Sequence, residues 1–571
     1  MKRLISMLLA IAVVLGSVAL LAGCGAPEND GAHIAIYLGA ATYDFDPTDY
    51  YADDNAEQVM SLLFEPLFRI NKKGKLVNAG AKSYEIDEEK RQIVIELDET
   101  YWSDDIRVKA ADYVYAWCER ILNPNNPNPA AALFYSIENA LAAKSGSCTV
   151  ADIGAKATDI YELTITYNEG ADVDRLLRNL ASVAASPVRQ DMVDQAPTYW
   201  SKSVNTMVFN GPFKIKSLDI AMGELVLSRN MGYHQEIGVK DYDNNVIPGE
   251  LVGFITANGE EVELTYSDIE SKAVFFMGDA TLQDRTANKD NAVKAANSST
   301  YSYVFNTENP LFKDERVRYA LSIAIDRAAI AAQVGFGKAA DGFISDDLGG
   351  AAEAYLSANA EMTKAQELIN SVNLAGISKS FKLTIENTEL DNKIADLVIE
   401  SWSALGFKVT KTYAEVVEST ISGETYTDSG IQVLVKEASY GNRDFDVIAV
   451  DWQLYTDDAF VGLSAFSTTM GGCGVDFTTA TPRSNIAGWA SSDYDYSMNN
   501  AYKLSGEERA AALAAAERTL CESAPIVPIL FNERFAFVSE DLSGLYVDGN
   551  GNFNFTLVKQ KNYEDYLEDE E

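Results

Sequence analysis

Phe381-Lys-Leu-Thr-Ile385, the amphipathic run 390–405 and Phe407-Lys-Val-Thr410 together decide the fold class. Two short β-prone runs flank a helix-length segment. That is the order of a β-α-β unit, whose strands run parallel in one sheet. Residues 446–450, Asp-Val-Ile-Ala-Val, continue the pattern as a short apolar run of the kind a sheet buries on both faces. The expected fold is α/β with part of its sheet parallel. The next stretch, Asp451-Trp-Gln-Leu-Tyr-Thr-Asp-Asp-Ala459, stands at a strand's carboxyl end, where such sheets bind ligands.

Working outward, apolar spacing predicts helices over 56–68, 110–122, 314–334, 361–369 and 506–522. Strands are expected at 34–38, 93–97, 161–167, 213–216, 224–228, 300–305 and 526–531. The proline-rich stretch Asn123-Pro-Asn-Asn-Pro-Asn-Pro129 is biased against helix. No repeat with a period of 20–50 residues is visible.

The chain opens MKRLISMLLAIAVVLGSVALLAGC. A short basic start, a long apolar run and a small-residue ending read as a secretory signal. About 18 apolar residues can just span a bilayer, but the small-small-Cys ending argues against an anchor helix. Leu21-Ala-Gly-Cys24 resembles the bacterial lipobox, which implies lipidation at Cys24 and a body held outside the cytoplasmic membrane. Residues 1–24 are thus the signal, 25–33 a tether and 563–571 an acidic tail.

With 571 residues the chain can bury large cores in two or more domains. Its net charge of −39 repels phosphate backbones, so nucleic acid is not an expected partner. Cys118, Cys148, Cys473 and Cys521 show no zinc-ligand spacing. Cys118–Cys148 and Cys473–Cys521 can be bonded or free, and spacing decides neither. With only two histidines, His33 and His234, a His-rich metal site is disfavoured. Both are read as surface residues. The acidic runs beginning at Asp241 and Asp548 lack the glycine and glutamate of an EF-hand. No carboxylate pair is singled out for glycosidase chemistry. Neither enzyme activity, nor a cofactor, nor a metal is expected.

Several motifs in order resemble the extracellular solute-binding proteins of ABC importers, in the class that takes oligopeptides, dipeptides and nickel complexes. They are Asp46-Pro47, Phe64-Glu-Pro-Leu67, Trp102-Ser-Asp-Asp105 with Val108-Lys-Ala110 and Asp112, Gly211-Pro-Phe213, Leu225-Val-Leu-Ser-Arg-Asn230 with Tyr233, and Tyr303-Val-Phe-Asn306 with Arg316-Val-Arg318 and Asp326-Arg327. Each also has a structural reading: Trp102 as a core aromatic, Gly211 as a tight turn, and the charged residues of 316–327 as caps and ion pairs.

The resemblance implies a two-lobed, periplasmic-binding-protein-like α/β fold with a third, inserted domain and a hinge between lobes. The expected division is 34–72 with 200–305 and 536–562 for lobe I, 73–199 for the inserted domain, and 306–535 for lobe II. It implies a monomer that captures an oligopeptide and delivers it to an ABC permease. In the family's "GWxADYxDP" segment, an Asp three residues after the Trp holds a peptide's α-ammonium group. Tyr455 stands at that position here, with Asp457 and Asp458 just beyond. Candidate ligand-binding residues are therefore Trp452, Tyr455, Asp457, Asp458 and Tyr303. The departure at Tyr455 leaves a non-peptide solute, such as an oligosaccharide or metal chelate, as the alternative.

Overall fold

The computed structural model describes residues 32–39, 44–49, 54–219, 224–234, 248–254, 264–350, 353–415, 417–421, 424–476, 478–479 and 481–561. Cys24, the run 241–245 and the acidic tail lie outside the described residues. The expected tether gives way to strand at Ala32.

In chain order, the elements that position the site begin with β1 (Ala32–Tyr37) and α1 (Asp54–Leu63). Then come β2 (Ala81–Asp87), β3 (Gln92–Leu97), α2 (Ala110–Val114), β4 (Ala155–Asp159), β5 (Glu162–Thr166) and α3 (Val173–Asn179). Next are β6 (Phe213–Asp219), β7 (Glu224–Arg229), β8 (Pro248–Phe254), β9 (Phe276–Met277) and β10 (Val293–Phe305). The second half gives α4 (Glu315–Ile323), α5 (Arg327–Val334), β11 (Ser380–Ile385), α6 (Glu389–Ala404), β12 (Lys408–Tyr413) and α7 (Gly430–Ser439). Last come β13 (Val447–Gln453), α8 (Ala459–Ser464), α9 (Gly506–Ser523), β14 (Ile526–Val538) and a small hairpin of β15 (Tyr546–Val547) and β16 (Phe553–Asn554).

The β-α-β unit forms as the sequence predicts. β11 pairs parallel with β12 from Ser380↔Lys408 to Ile385↔Tyr413, and parallel with β13 at Leu383↔Val447. Thr388 caps α6 by accepting the Asp391 amide at 3.0 Å. The helix buries Ile394, Ala395, Val398 and Trp402 against the sheet. Trp402 Nε1 donates to the Leu321 carbonyl at 2.8 Å, so its buried polar atom is satisfied. Each fully buried large apolar side chain here contributes about 1.5–3 kcal/mol.

Among the described residues one eleven-stranded sheet runs β12-β11-β13-β10-β14-β9-β1-β8-β7-β6, with a short strand at Lys338–Ala339 added to β14. β10 and β14, thirteen residues each, pair antiparallel from Val293↔Ala536 to Val304↔Ile526. Register shifts between Lys294 and Ser302 interrupt that ladder. One end of the pair joins β9 and the other joins β13, so two strands carry the sheet from its first-half part into its second-half part. A separate four-stranded antiparallel sheet, β2-β3-β5-β4, sits within the first third of the chain.

Three expectations change. The helix expected over 56–68 stops at Leu63, because Pro66 disfavours helical backbone at Glu65. The helix expected over 314–334 is two, because the Asp326 carboxylate accepts the Ala329 amide at 2.9 Å and starts α5 afresh. The helix over 110–122 widens to a π-helical turn at Tyr115–Ile121 while Tyr113, Trp117 and Ile121 stay buried. Gly211 serves close packing: a Cβ there would lie 2.5 Å from the Leu63 carbonyl carbon. Cys118, Cys148, Cys473 and Cys521 are free thiols.

Candidate functional site

β13 is buried along its length and ends at Gln453. The chain then turns sharply, with Tyr455 at φ +63°, a conformation that disfavours a bulky side chain. A narrow cleft opens to solvent at this turn, enclosing about 10 Å³, room for a group the size of one water molecule. Its wall is the run 453–457, Glu57 of α1, Leu348 and the Gly549-Asn550 turn between β15 and β16. Segments from both ends of the chain meet there because Gln58 binds the hairpin twice. Its Nε2 donates to the Phe553 carbonyl at 2.9 Å and its Oε1 accepts the Phe553 amide at 2.8 Å. Gly349 lets the Leu348 loop approach closely: a Cβ there would lie 2.9 Å from the Asp457 carbonyl oxygen.

Of the five candidates, Tyr455 and Asp457 line this cavity. Tyr455 is only 4% exposed, and burial, followed by the Glu57 and Asp49 carboxylates, pushes its phenol further from ionisation. Asp457 is held by two arginines of α3. Arg175 Nη1 donates to Oδ1 at 3.1 Å and to the Asp457 carbonyl at 3.2 Å. Arg178 Nε donates to Oδ2 at 3.2 Å, and Arg178 Nη2 makes a second, shorter contact with it. Asp172 caps α3, and burial of Leu176 and Leu177 leaves Arg175 and Arg178 to reach Asp457.

The other three candidates are not brought to the cavity. Trp452 is buried with its ring 5.5 Å from that of Phe466. Asp458 caps α8 by accepting the Phe460 amide at 3.2 Å, and both its oxygens accept from Arg509 Nη2 at 2.9 Å. Tyr303 lies in the core of the β-α-β region, its ring 5.9 Å from those of Tyr301 and Trp402. Tyr303 thus packs against Trp402 of α6 and is not among the residues that line the cavity.

Sequence reasoning did not single out Glu57, Gln453, Asn550, Arg175 or Arg178. Asn552 Nδ2 donates to Glu57 Oε1 at 3.2 Å, and Arg534 Nη2 lies 4.0 Å from Oε2. The buried Gln453 Oε1 has no hydrogen-bond partner among the described residues.

His234 is not a surface residue. Its imidazole is 6% exposed, with Nε2 against Glu65 and Nδ1 3.2 Å from Asp98. Burial opposes its charge, but Glu65 and then Asp98 outweigh burial and raise its pKa. Tyr233 and Arg69 complete the group around the buried Glu65.

The family model "Bacterial extracellular solute-binding proteins, family 5 Middle" matches residues 75–472. The chain belongs to that family. Family-5 members are binding proteins. Two relatives are both from Escherichia coli (strain K12). The periplasmic murein peptide-binding protein MppA is 27% identical over 495 residues, 83% of this chain and 82% of that protein. The Probable deoxycholate-binding periplasmic protein YgiS is 25% identical over 493 residues, 84% of each. Among solved structures, Haemophilus influenzae OppA in complex with RPPGFSPFR superposes with a TM-score of 0.74 at 20% identity, covering 93% of this chain and 99% of that one. The unliganded open form of MppA superposes at 0.55 and 21% identity, covering 92% and 97%. The fold is the multi-domain fold of periplasmic binding proteins. Among the described residues no helix is long and apolar enough to cross a membrane.

Proposed function

We propose that this family-5 protein captures oligopeptides in a cleft between two lobes and hands them to an ABC permease. The observation that carries the reading is the family match over residues 75–472, with α1, the β13 end and the C-terminal hairpin converging at the candidate site. Peptide-binding relatives support the ligand class. The Gln453 Oε1 acceptor suits a ligand that brings N–H donors. The lobes are taken as 34–72 with 200–305 and 536–562, and as 306–535, with 73–199 inserted. β10 and β14 then cross between them and act as the hinge. A better fit to a peptide-bound relative than to an open one supports a closed arrangement. The chain works as a monomer tethered through lipid on Cys24.

Native mass spectrometry of the purified chain, before and after mild denaturation, tests this. A ladder of released masses matching two to several amino acid residues is the expected result. A single non-peptide mass would replace the peptide reading with another solute. Tyr455→Ala and Asp457→Ala proteins that hold the released ligand as tightly as the parent would remove this cavity as the site.

A further inference from the structure

Of the two carboxylates that line the cavity, Asp457 is already engaged by guanidinium groups. Asp457 accepts from Arg175 and Arg178. Glu57 faces Arg534 and accepts from Asn552. Asp458, just beyond, is taken by Arg509. Tyr455 offers a ring and a hydroxyl but no charge at physiological pH. A free ammonium group entering at Asp457 would have to displace an arginine from the carboxylate and then sit beside that displaced cation. The exchange trades one ion pair for another and adds a like-charge contact, so it gains nothing.

An anionic group meets the opposite situation. Two guanidiniums face the single Asp457 carboxylate, more donors than it can accept from in parallel pairs. Arg175 gives Asp457 only its Nη1 donors. Its Nε and Nη2 donors have no partner among the described residues, and the side chain is 32% exposed. A guanidinium with an open edge is suited to a carboxylate, which it can bind through two parallel N–H donors.

We propose that the cleft selects solutes that bring no free ammonium group to the Asp457 end, and that a carboxylate presented there is received by Arg175. This rests on the peptide reading above and narrows it to peptides whose amino terminus is blocked or acidic at that end.

The test offers the full chain one degenerate tetrapeptide pool in three chemical forms: free amine, N-acetyl and N-succinyl. Retained peptides are counted by mass spectrometry. The acetyl pool is expected to be retained above the free-amine pool, and the succinyl pool about tenfold above the acetyl pool, as a charge-assisted pair contributes. Arg175→Gln should bring the ratio of succinyl to acetyl retention down to about one, and a urea-unfolding midpoint close to the parent's shows that the variant is folded. Retention of the free-amine pool at or above the acetyl pool overturns the proposal while leaving the peptide reading standing. Succinyl retention that Arg175→Gln does not alter overturns the role of Arg175. Retention of none of the three pools overturns the peptide reading, and this proposal with it.

Discussion

Arg178 Nε and Asp457 Oδ2 lie 3.2 Å apart, joining helix α3 to the turn that follows β13. The contact ties the region of the four-stranded sheet to the carboxyl edge of the large sheet. Both side chains keep about a quarter of their surface exposed, so the pair is worth on the order of 0.5–1 kcal/mol rather than the several of a buried pair.

Asp457→Asn should therefore loosen the tie between α3 and the turn after β13 without unfolding either part. Release of bound ligand is expected to quicken by roughly two- to fivefold, in line with that energy. Stopped-flow dissociation reads this directly. An unchanged release rate would mean that the contact does not help hold the cleft shut.

His234 predicts a pH dependence of the opposite sense to a simple buried base. Burial alone would lower its pKa from 6.5, but Glu65 and Asp98 raise it. The stability it contributes is then fully present below about pH 6.5 and is lost as pH rises through the higher folded value. His234→Asn should cost more stability at pH 5.5 than at pH 9, as measured by urea unfolding. Equal costs at both values would contradict the pairing.

Asp391 carries the same sign in a more acidic window. Burial raises its carboxyl from 3.8 to about 6, against hydrogen bonds from Thr388 and Tyr301 that favour the charged form. The folded state binds more protons than the unfolded chain across that window, so stability falls as pH rises from about 4 to 6. Asp391→Asn should gain on the parent over the same range, by on the order of 2 kcal/mol at most. A pH-independent difference would show that the Asp391 proton is not linked to folding.

Tyr303 separates scaffold from site. Tyr303→Phe keeps the ring between Tyr301 and Trp402 and should leave the spectrum of retained ligands unchanged. Tyr303→Ala should cost about 3–5 kcal/mol of stability, the range for emptying a buried aromatic site. A ligand spectrum altered by Tyr303→Phe would return the residue to the cleft.

The β-α-β unit was legible because its signals are local: two β-prone runs, a capped helix and an apolar strand in sequence order. The position of Tyr455 and Asp457 at a strand's carboxyl end followed from the same pattern. Trp452 and Asp458 share that stretch, yet alternation around the turn points Trp452 into the core and spends Asp458 on a cap. Glu57, Asn550, Arg175 and Arg178 stayed hidden because what recruits them lies far off in sequence. Nothing near Glu57 announces a hairpin close to the other end of the chain. The helix boundaries at Leu63 and Asp326 had visible causes, Pro66 and the Asp326 carboxylate, but the apolar period continues through both and masked them. His234 was misjudged because the partners that bury a lone histidine, Glu65 and Asp98, lie on two other segments far off in sequence.

The long strands also govern how the molecule can be assembled. β14 is made almost last, yet in the sheet it lies between β10 and β9. Until Ile526–Val538 is available, β10 and β9 each present an open row of backbone donors and acceptors. Such rows invite pairing with another chain. A ladder joining segments about 220 residues apart also forms slowly, because its ends must find each other before any contact rewards them. The two halves therefore cannot be completed one after the other as independent units. A chain cut before Ile526 should yield two unfinished edges and aggregate, not a smaller working protein.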